Sequence, residues 1–186
     1  MSSTLEDLGK ELSSKLSDTD KAYIAGLFDG EGCIDATFGS KKSFCKREKR
    51  EKIYLTPKIN FVISNKSNLL LELIKSIIGF GDAPKRKIYR DKRSGTYSYR
   101  ITGRKQVFSM VNAILPFVRL KNDGLEVSRD ALLYLFDRKP RSKWTGEELV
   151  FFREEFVQKL QKLLPSGRKG GRPPKYNFDE IISKYY

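Results

Sequence analysis

The chain is 186 residues long and carries 37 lysines and arginines against 23 acidic residues, a formal net charge of +14. That length suits one compact domain with added elements, a hydrophobic share of 39% excludes a disordered chain, and so basic a balance points to a polyanion, nucleic acid before an anionic membrane. The absence of histidine excludes every mechanism that needs an imidazole and leaves carboxylates, lysines and bound metal to do any chemistry, while two cysteines, Cys33 and Cys45, are too few for a four-thiolate zinc site and read as ordinary reduced residues.

The opening residues show neither a basic nor an apolar leader region, and no apolar run reaches the length of a membrane span, so an intracellular protein is expected, with no membrane partner. Leu5, Leu8, Leu12 and Leu16, spaced by three and four, predict a short amphipathic helix. Asp18-Thr19-Asp20 offers an N-cap for the apolar stretch Ala22 to Phe28, which ends at Gly30-Glu31-Gly32. From Cys33 to Phe38 the pattern alternates, with Ile34, Ala36 and Phe38 on one face and Asp35 and Thr37 on the other.

A basic loop follows, with Lys41, Lys42, Lys46, Arg47, Lys49 and Arg50. From Lys52 to Ser64 the alternation is clean: Ile53, Leu55, Ile59, Phe61 and Ile63 face one way, and Lys52, Tyr54, Thr56, Lys58 and Asn60 the other. Pro57 falls on the apolar parity and requires an edge position or a bulge. Ser67 to Ile78 predicts a helix closed by Gly79; 85–91 and 96–102 predict a second hairpin, with Lys87, Tyr89, Ser98 and Arg100 on its polar side. Helices are predicted over 105–115, stopped by Pro116, and over 123–136 and 145–164; a basic Gly/Pro linker and one short helix, 177–186, complete the chain.

The order is αββαββα with helical additions, an α+β fold. Two hairpins make a four-stranded antiparallel sheet, helices cover its apolar face, and the polar, basic face is wide enough for a DNA major groove. The expected division is an extension over 1–17, a domain over 18–164 and a basic tail over 165–186.

The informative segment is Ile24-Ala25-Gly26-Leu27-Phe28-Asp29-Gly30-Glu31-Gly32. Ala22, Gly26 and Gly30, at i, i+4 and i+8, form a small-residue stripe that lets a second helix approach almost backbone to backbone. Asp29 and Glu31 sit at the helix C-terminus, where the helix dipole disfavours anions. Two such helices about a two-fold axis would bring acids together and call for a hard cation such as Mg²⁺. The same residues also read as an ordinary helix ending in an acidic glycine turn.

This segment resembles the LAGLIDADG motif, with Ile for the first Leu, Phe for Ile, Gly for the second Ala and Glu for the second Asp, and with the predicted topology the likeness extends from about Asp20 to Phe136. The resemblance implies a homodimeric, intron-encoded type of homing endonuclease that cuts double-stranded DNA at a long, roughly palindromic site with Mg²⁺ or another divalent cation such as Mn²⁺. It implies that Glu31 is the metal-binding catalytic carboxylate, that the Gly30 carbonyl is a further ligand, and that Asp29 is a structural cap. Ser64-Asn65-Lys66 resembles the family's peripheral site, where Asn65 would order solvent; Pro116-Phe-Val-Arg-Leu-Lys121 resembles the segment whose lysine flanks the cleavage centre. By themselves Lys121 reads equally as a solvated lysine and Asn65 as a turn or cap residue. In the tail, Gly170-Gly-Arg-Pro-Pro-Lys175 resembles an AT-hook core or a recombinase Gly-Arg-Pro arm, which would put Arg172 in a minor groove; a solvated linker is the plainer reading. A non-catalytic DNA-binding regulator and an RNA maturase on the same fold stand as alternatives.

Overall fold

A computed structural model describes residues 14–45, 49–79, 88–90, 95–138, 144–164 and 177–186, excluding the side chains of residues 88 and 89. The expected helix over Leu5 to Leu16 lies outside the described residues, apart from its last three, of which Leu16 is buried in the core.

Helix α1 spans Asp18–Glu31. Its cap is Ser17, one residue earlier than the sequence suggested: the Asp20 N–H donates to the Ser17 hydroxyl, and the Ser17 N–H to the Asp20 carboxylate. The chain passes directly into strand β1, Gly32–Cys45, which pairs antiparallel with β2, Arg50–Asn65. Gly32 is required by space: a Cβ there would lie 2.3 Å from the Phe28 ring, which stacks on Phe61 with centroids 5.0 Å apart. Helix α2, Asn68–Ile78, begins at Ser67 and ends on Gly79 in the left-handed conformation, φ 50°. Strands β3, Ile88–Arg90, and β4, Tyr97–Ile101, complete a sheet of order β1-β2-β4-β3.

Helix α3, Arg104–Ile114, runs into a 3₁₀ turn, Leu115–Phe117, holding Pro116. Helix α4 is Asn122–Asp137. Helices α5, Gly146–Phe152, and α6, Lys159–Leu163, are joined without a break by a π-helical segment, Arg153–Gln158. Helix α7, Phe178–Tyr185, follows. None of the described helices is long and apolar enough to cross a membrane.

The alternation read from sequence is the alternation observed. Ile34, Ala36, Ile59, Phe61, Ile63, Tyr99 and Ile101 are buried against the helices, with Ile24, Phe28, Leu71, Ile74 and Val107 among the residues that meet them. Pro57 is explained by the edge, not by a bulge. It lies opposite Phe38 in unbroken register, and β4 reaches only Phe61–Asn65 of β2. Leu55, two residues earlier, sends its N–H to the Tyr186 hydroxyl at 3.0 Å, away from β1; Pro57 presents its missing N–H to the same free edge.

Two expectations need correction. Much of the basic stretch expected as a loop is strand: β1 runs through Lys41 and Lys42 to Cys45 and β2 starts at Arg50, because antiparallel pairing continues past the point where side-chain alternation fades; residues 46–48 lie outside the described residues. The last ten residues form the expected short helix, but it packs on the domain instead of standing with the basic tail. Ile181 is buried with Ile53, Leu55 and Leu149, and the Arg153 guanidinium holds Asp179 at 2.6 Å, so α7 rejoins the domain; the basic segment 165–176 lies outside the described residues.

Candidate active site and nucleic-acid face

The two acids of the motif are held differently. Both carboxylate oxygens of Asp29 are engaged by backbone N–H groups: Arg119 donates at 2.8 Å, Leu120 at 3.1 Å and Lys121 at 3.0 Å. These donors lie just ahead of α4, where a carboxylate is favoured by unpaired N–H groups and the helix dipole. Asp29 is thus a cap, as its motif position implied, but for the 119–121 turn and not for its own helix. Glu31, the final residue of α1, is exposed and has neither a hydrogen bond nor an ion pair among the described residues.

Lys121 returns the contact. Its ammonium donates to the Phe28 carbonyl at 3.0 Å and the Gly32 carbonyl at 2.7 Å, and lies 5.6 Å from the Phe28 ring centroid. It is no solvated lysine: it neutralises the partial negative charge at the C-terminus of α1. Burial pushes its pKa below the ordinary lysine value, against the opposing pull of Cys33, Asp29 and Glu31. Gly30 lies between the two residues whose carbonyls Lys121 engages, in the last turn of α1, where backbone carbonyls lack intrahelical partners.

Asn65 stands at the same end of the sheet, two residues beyond the Gly32–Ile63 pair. Its side-chain oxygen accepts from the Ser67 N–H at 2.8 Å, an Asx turn leading into α2. No group of three or more His, Cys, Asp or Glu side chains lies together among the described residues. The donor chemistry at the end of α1 still fits a hard cation, because a free carboxylate and a terminal carbonyl are both oxygen ligands. One chain offers part of a coordination sphere.

Ala22, Gly26 and Gly30 form an exposed line along α1, and a Cβ on either glycine would meet nothing within 4 Å. Tyr23 on the same helix and Leu120 beside it are also exposed, Leu120 by 84%.

Away from α1, the sheet presents its polar face. Asp35 pairs across with Asn60, Thr37 with Lys58 and Lys41 with Tyr54; Thr56 and Lys52 share that parity, and Ser98 and Arg100 extend the face on β4. Of the expected DNA-contacting residues, Lys87, the Tyr89 side chain and Arg172 lie outside the description. Lys41 and Ser43 belong to the same face, because β1 extends beyond the stretch whose alternation marks it in the sequence. Three side-chain relationships shape the surface. The Arg100 guanidinium donates to Asp35 at 3.3 Å across β2. Ser64 and Ser98 share a hydrogen bond of 2.8 Å. Lys58 lies across Gly39, where a Cβ would come within 2.2 Å of its stem.

The described residues thus combine a four-stranded sheet backed by helices with an acidic helix end, an exposed glycine line and a half-buried lysine at one margin. The chain belongs to the LAGLIDADG endonuclease family, whose model matches residues 24–119, just over half of its length. No curated protein sequence matches it. Among solved structures it is similar to the homing endonuclease I-CvuI in complex with the I-CreI target in the presence of Mg, the DNA not cleaved, at 18% identity over 89% of this chain and 94% of that one, TM-score 0.63. It is also similar to the archaeal intron-encoded homing endonuclease I-Vdi141I complexed with DNA, at 20% identity over 89% of this chain and 94% of that one, TM-score 0.58. At these identities the likeness speaks to the fold.

Proposed function

We propose that the chain is a homodimeric, site-specific endonuclease that hydrolyses double-stranded DNA at a long, roughly palindromic site with Mg²⁺ or a similar divalent cation, inside the cell where DNA is found. The observation that carries this reading is the division of labour at the end of α1, where Asp29 is saturated by three backbone N–H groups and Glu31 is left exposed and unpaired among the described residues. A helix end that needed only a cap would not keep a second acid, exposed and without a hydrogen bond among the described residues, against its own dipole. Family membership and the presence of Mg or Ca in the I-CvuI complexes support the choice of cation.

Glu31 of each copy, with the Gly30 carbonyl, would hold the cation, two copies meeting along Ala22, Gly26 and Gly30. When bound, the cation supplies an activated water and stabilises the leaving oxygen. Lys121, steered by the Phe28 and Gly32 carbonyls, would bring positive charge to the phosphate as negative charge develops. Asn65 would order solvent at the margin. The polar face from Lys52 to Asn60, with Asp35, Thr37, Ser98 and Arg100, would read base edges in the major groove. Lys87 and Tyr89, expected from the sequence to share that polar side, would take part in the same reading, and Arg172 would reach a flanking minor groove.

The test is a strand-cleavage assay on a randomised-site plasmid library with Mg²⁺, beside a gel-shift assay on the sites recovered. Glu31→Gln abolishes cutting and leaves binding largely intact; activity within about tenfold of the parent would contradict an essential ligand, whose loss costs several kcal/mol. Lys121→Ala slows cutting more than it weakens binding. Equal losses in both assays would reduce Lys121 to a phosphate clamp.

A further inference from the structure

We propose that helix α7 is a positioning element for base recognition, fixing the outer half of the reading face from behind. The inference rests on the proposed DNA reading and goes beyond it, because it assigns specificity to residues with no place on the polar face.

Among the described residues strand β4 pairs only with Phe61–Asn65, so the rest of β2 and its β1 partner form a two-stranded ribbon whose β2 side has no strand neighbour. Such a ribbon is marginal in water unless a third strand or a helix covers it. Helix α5 covers part of the underside through Leu149 and Phe152, and helix α7 adds cover in two ways. Ile181 is buried against Ile53 and Leu55 on the apolar underside, with Phe178 packed on Phe38 at a centroid distance of 4.8 Å. The Tyr186 hydroxyl accepts from the Leu55 N–H at 3.0 Å and so occupies that side of β2 itself. The helix is fixed from below by Arg153, which pairs with Asp179 and lies 4.7 Å from the Phe178 ring centroid.

Leu55 is eight residues along β2 from Ile63, the residue opposite Gly32, a separation of about 26 Å at strand rise. What α7 holds is therefore several base-pair steps from the cleavage centre. On the opposite face of the same stretch stand Tyr54 and Thr56. Contacts to base edges need side chains held in place before binding, and a ribbon free to twist would spend affinity on becoming ordered. Loosening α7 should thus blur recognition of outer base pairs while leaving Glu31 and Lys121 in place.

Two variants test this in the full chain: Tyr186→Phe, which removes only the hydroxyl, and Ile181→Asp, which unseats the helix. Amide hydrogen exchange of the DNA-free protein should quicken over residues 50–57 in both, with α1 and α4 unchanged. Selection from a randomised duplex library should give both variants the parent's preferences at central positions and weaker ones outside, where one mismatched pair ordinarily costs about tenfold or more. Unchanged exchange, or preferences lost equally at every position, would overturn the proposal. A parent protein that selects no sequence would instead remove the endonuclease reading and leave the exchange result to judge the ribbon alone. Should Ile181→Asp not fold, Tyr186→Phe decides.

Discussion

Asp29 and Lys121 hold one junction from opposite sides: the Asp29 carboxylate takes the backbone N–H groups of residues 119–121, and the Lys121 ammonium takes the carbonyls of Phe28 and Gly32. Each charged side chain satisfies backbone groups of the segment that carries the other. The start of α4 is thereby fixed against the end of α1, and Lys121 cannot drift from Glu31 without breaking hydrogen bonds to charged groups, the stronger kind. Asp29→Asn leaves one oxygen for three donors. We expect a loss of about 1–3 kcal/mol and a thermal midpoint lower by roughly 2–10 °C. Calorimetry checks this, and an unchanged midpoint would mean that the latch adds no net stability.

Gly26 faces open space, and a side chain there meets nothing in its own chain. Gly26→Leu should leave the far-ultraviolet circular dichroism of the protein intact while preventing two α1 helices from approaching closely. If the proposed homodimer holds, sedimentation should report a dimer for the parent and a monomer for the variant, with cleavage lost. A Leu variant that remained dimeric and active would move the subunit interface elsewhere.

Asp35 and Arg100 are tied to each other on the polar face, both partly exposed. On the proposed DNA face an acid would repel phosphate, so its value there would lie in aiming the guanidinium. Asp35→Ala should tighten binding to random-sequence duplex and erode discrimination at the base pair that Arg100 is proposed to read by about 1 kcal/mol, within the ~1–3 kcal/mol a mismatch usually costs. Competition binding with matched and mismatched duplexes separates the effects. Weaker random binding with discrimination unchanged would be the opposite outcome.

Glu148 joins two helices: it receives the Thr145 N–H in the α5 capping box and pairs with Arg138 at the end of α4. The Thr145 N–H first, and then Arg138, hold its pKa below the ordinary 4.5. A carboxyl with a depressed folded-state pKa stabilises the fold above the unfolded value and loses that contribution as pH falls through the folded one. The parent should therefore melt above Glu148→Gln at neutral pH, with the gap closing below pH 4.5. Melting curves across that range test the sign; a gap that widened in acid would contradict it.

The sequence by itself determined which residues share a face and which helix carries the small-residue line, because both follow from local periodicity. Two residues per strand repeat put Ile59, Phe61 and Ile63 inside and Lys58 and Asn60 outside, and a spacing of four put Ala22, Gly26 and Gly30 in one row. Ser67 and Gly79 marked both ends of α2 by their own backbone and capping chemistry. The motif resemblance already implied that Asp29 is structural, but only the tertiary structure decided what it caps, since its donors lie 90–92 residues away. It also decided where β1 ends, and that Asp35 meets Arg100 and Tyr186 meets Leu55, across separations of 65 and 131 residues. Such contacts leave no period in the chain. They exist because folding satisfies backbone donors and charged groups with whatever the topology brings near, and that partner is set by the packing of whole elements rather than by neighbouring residues.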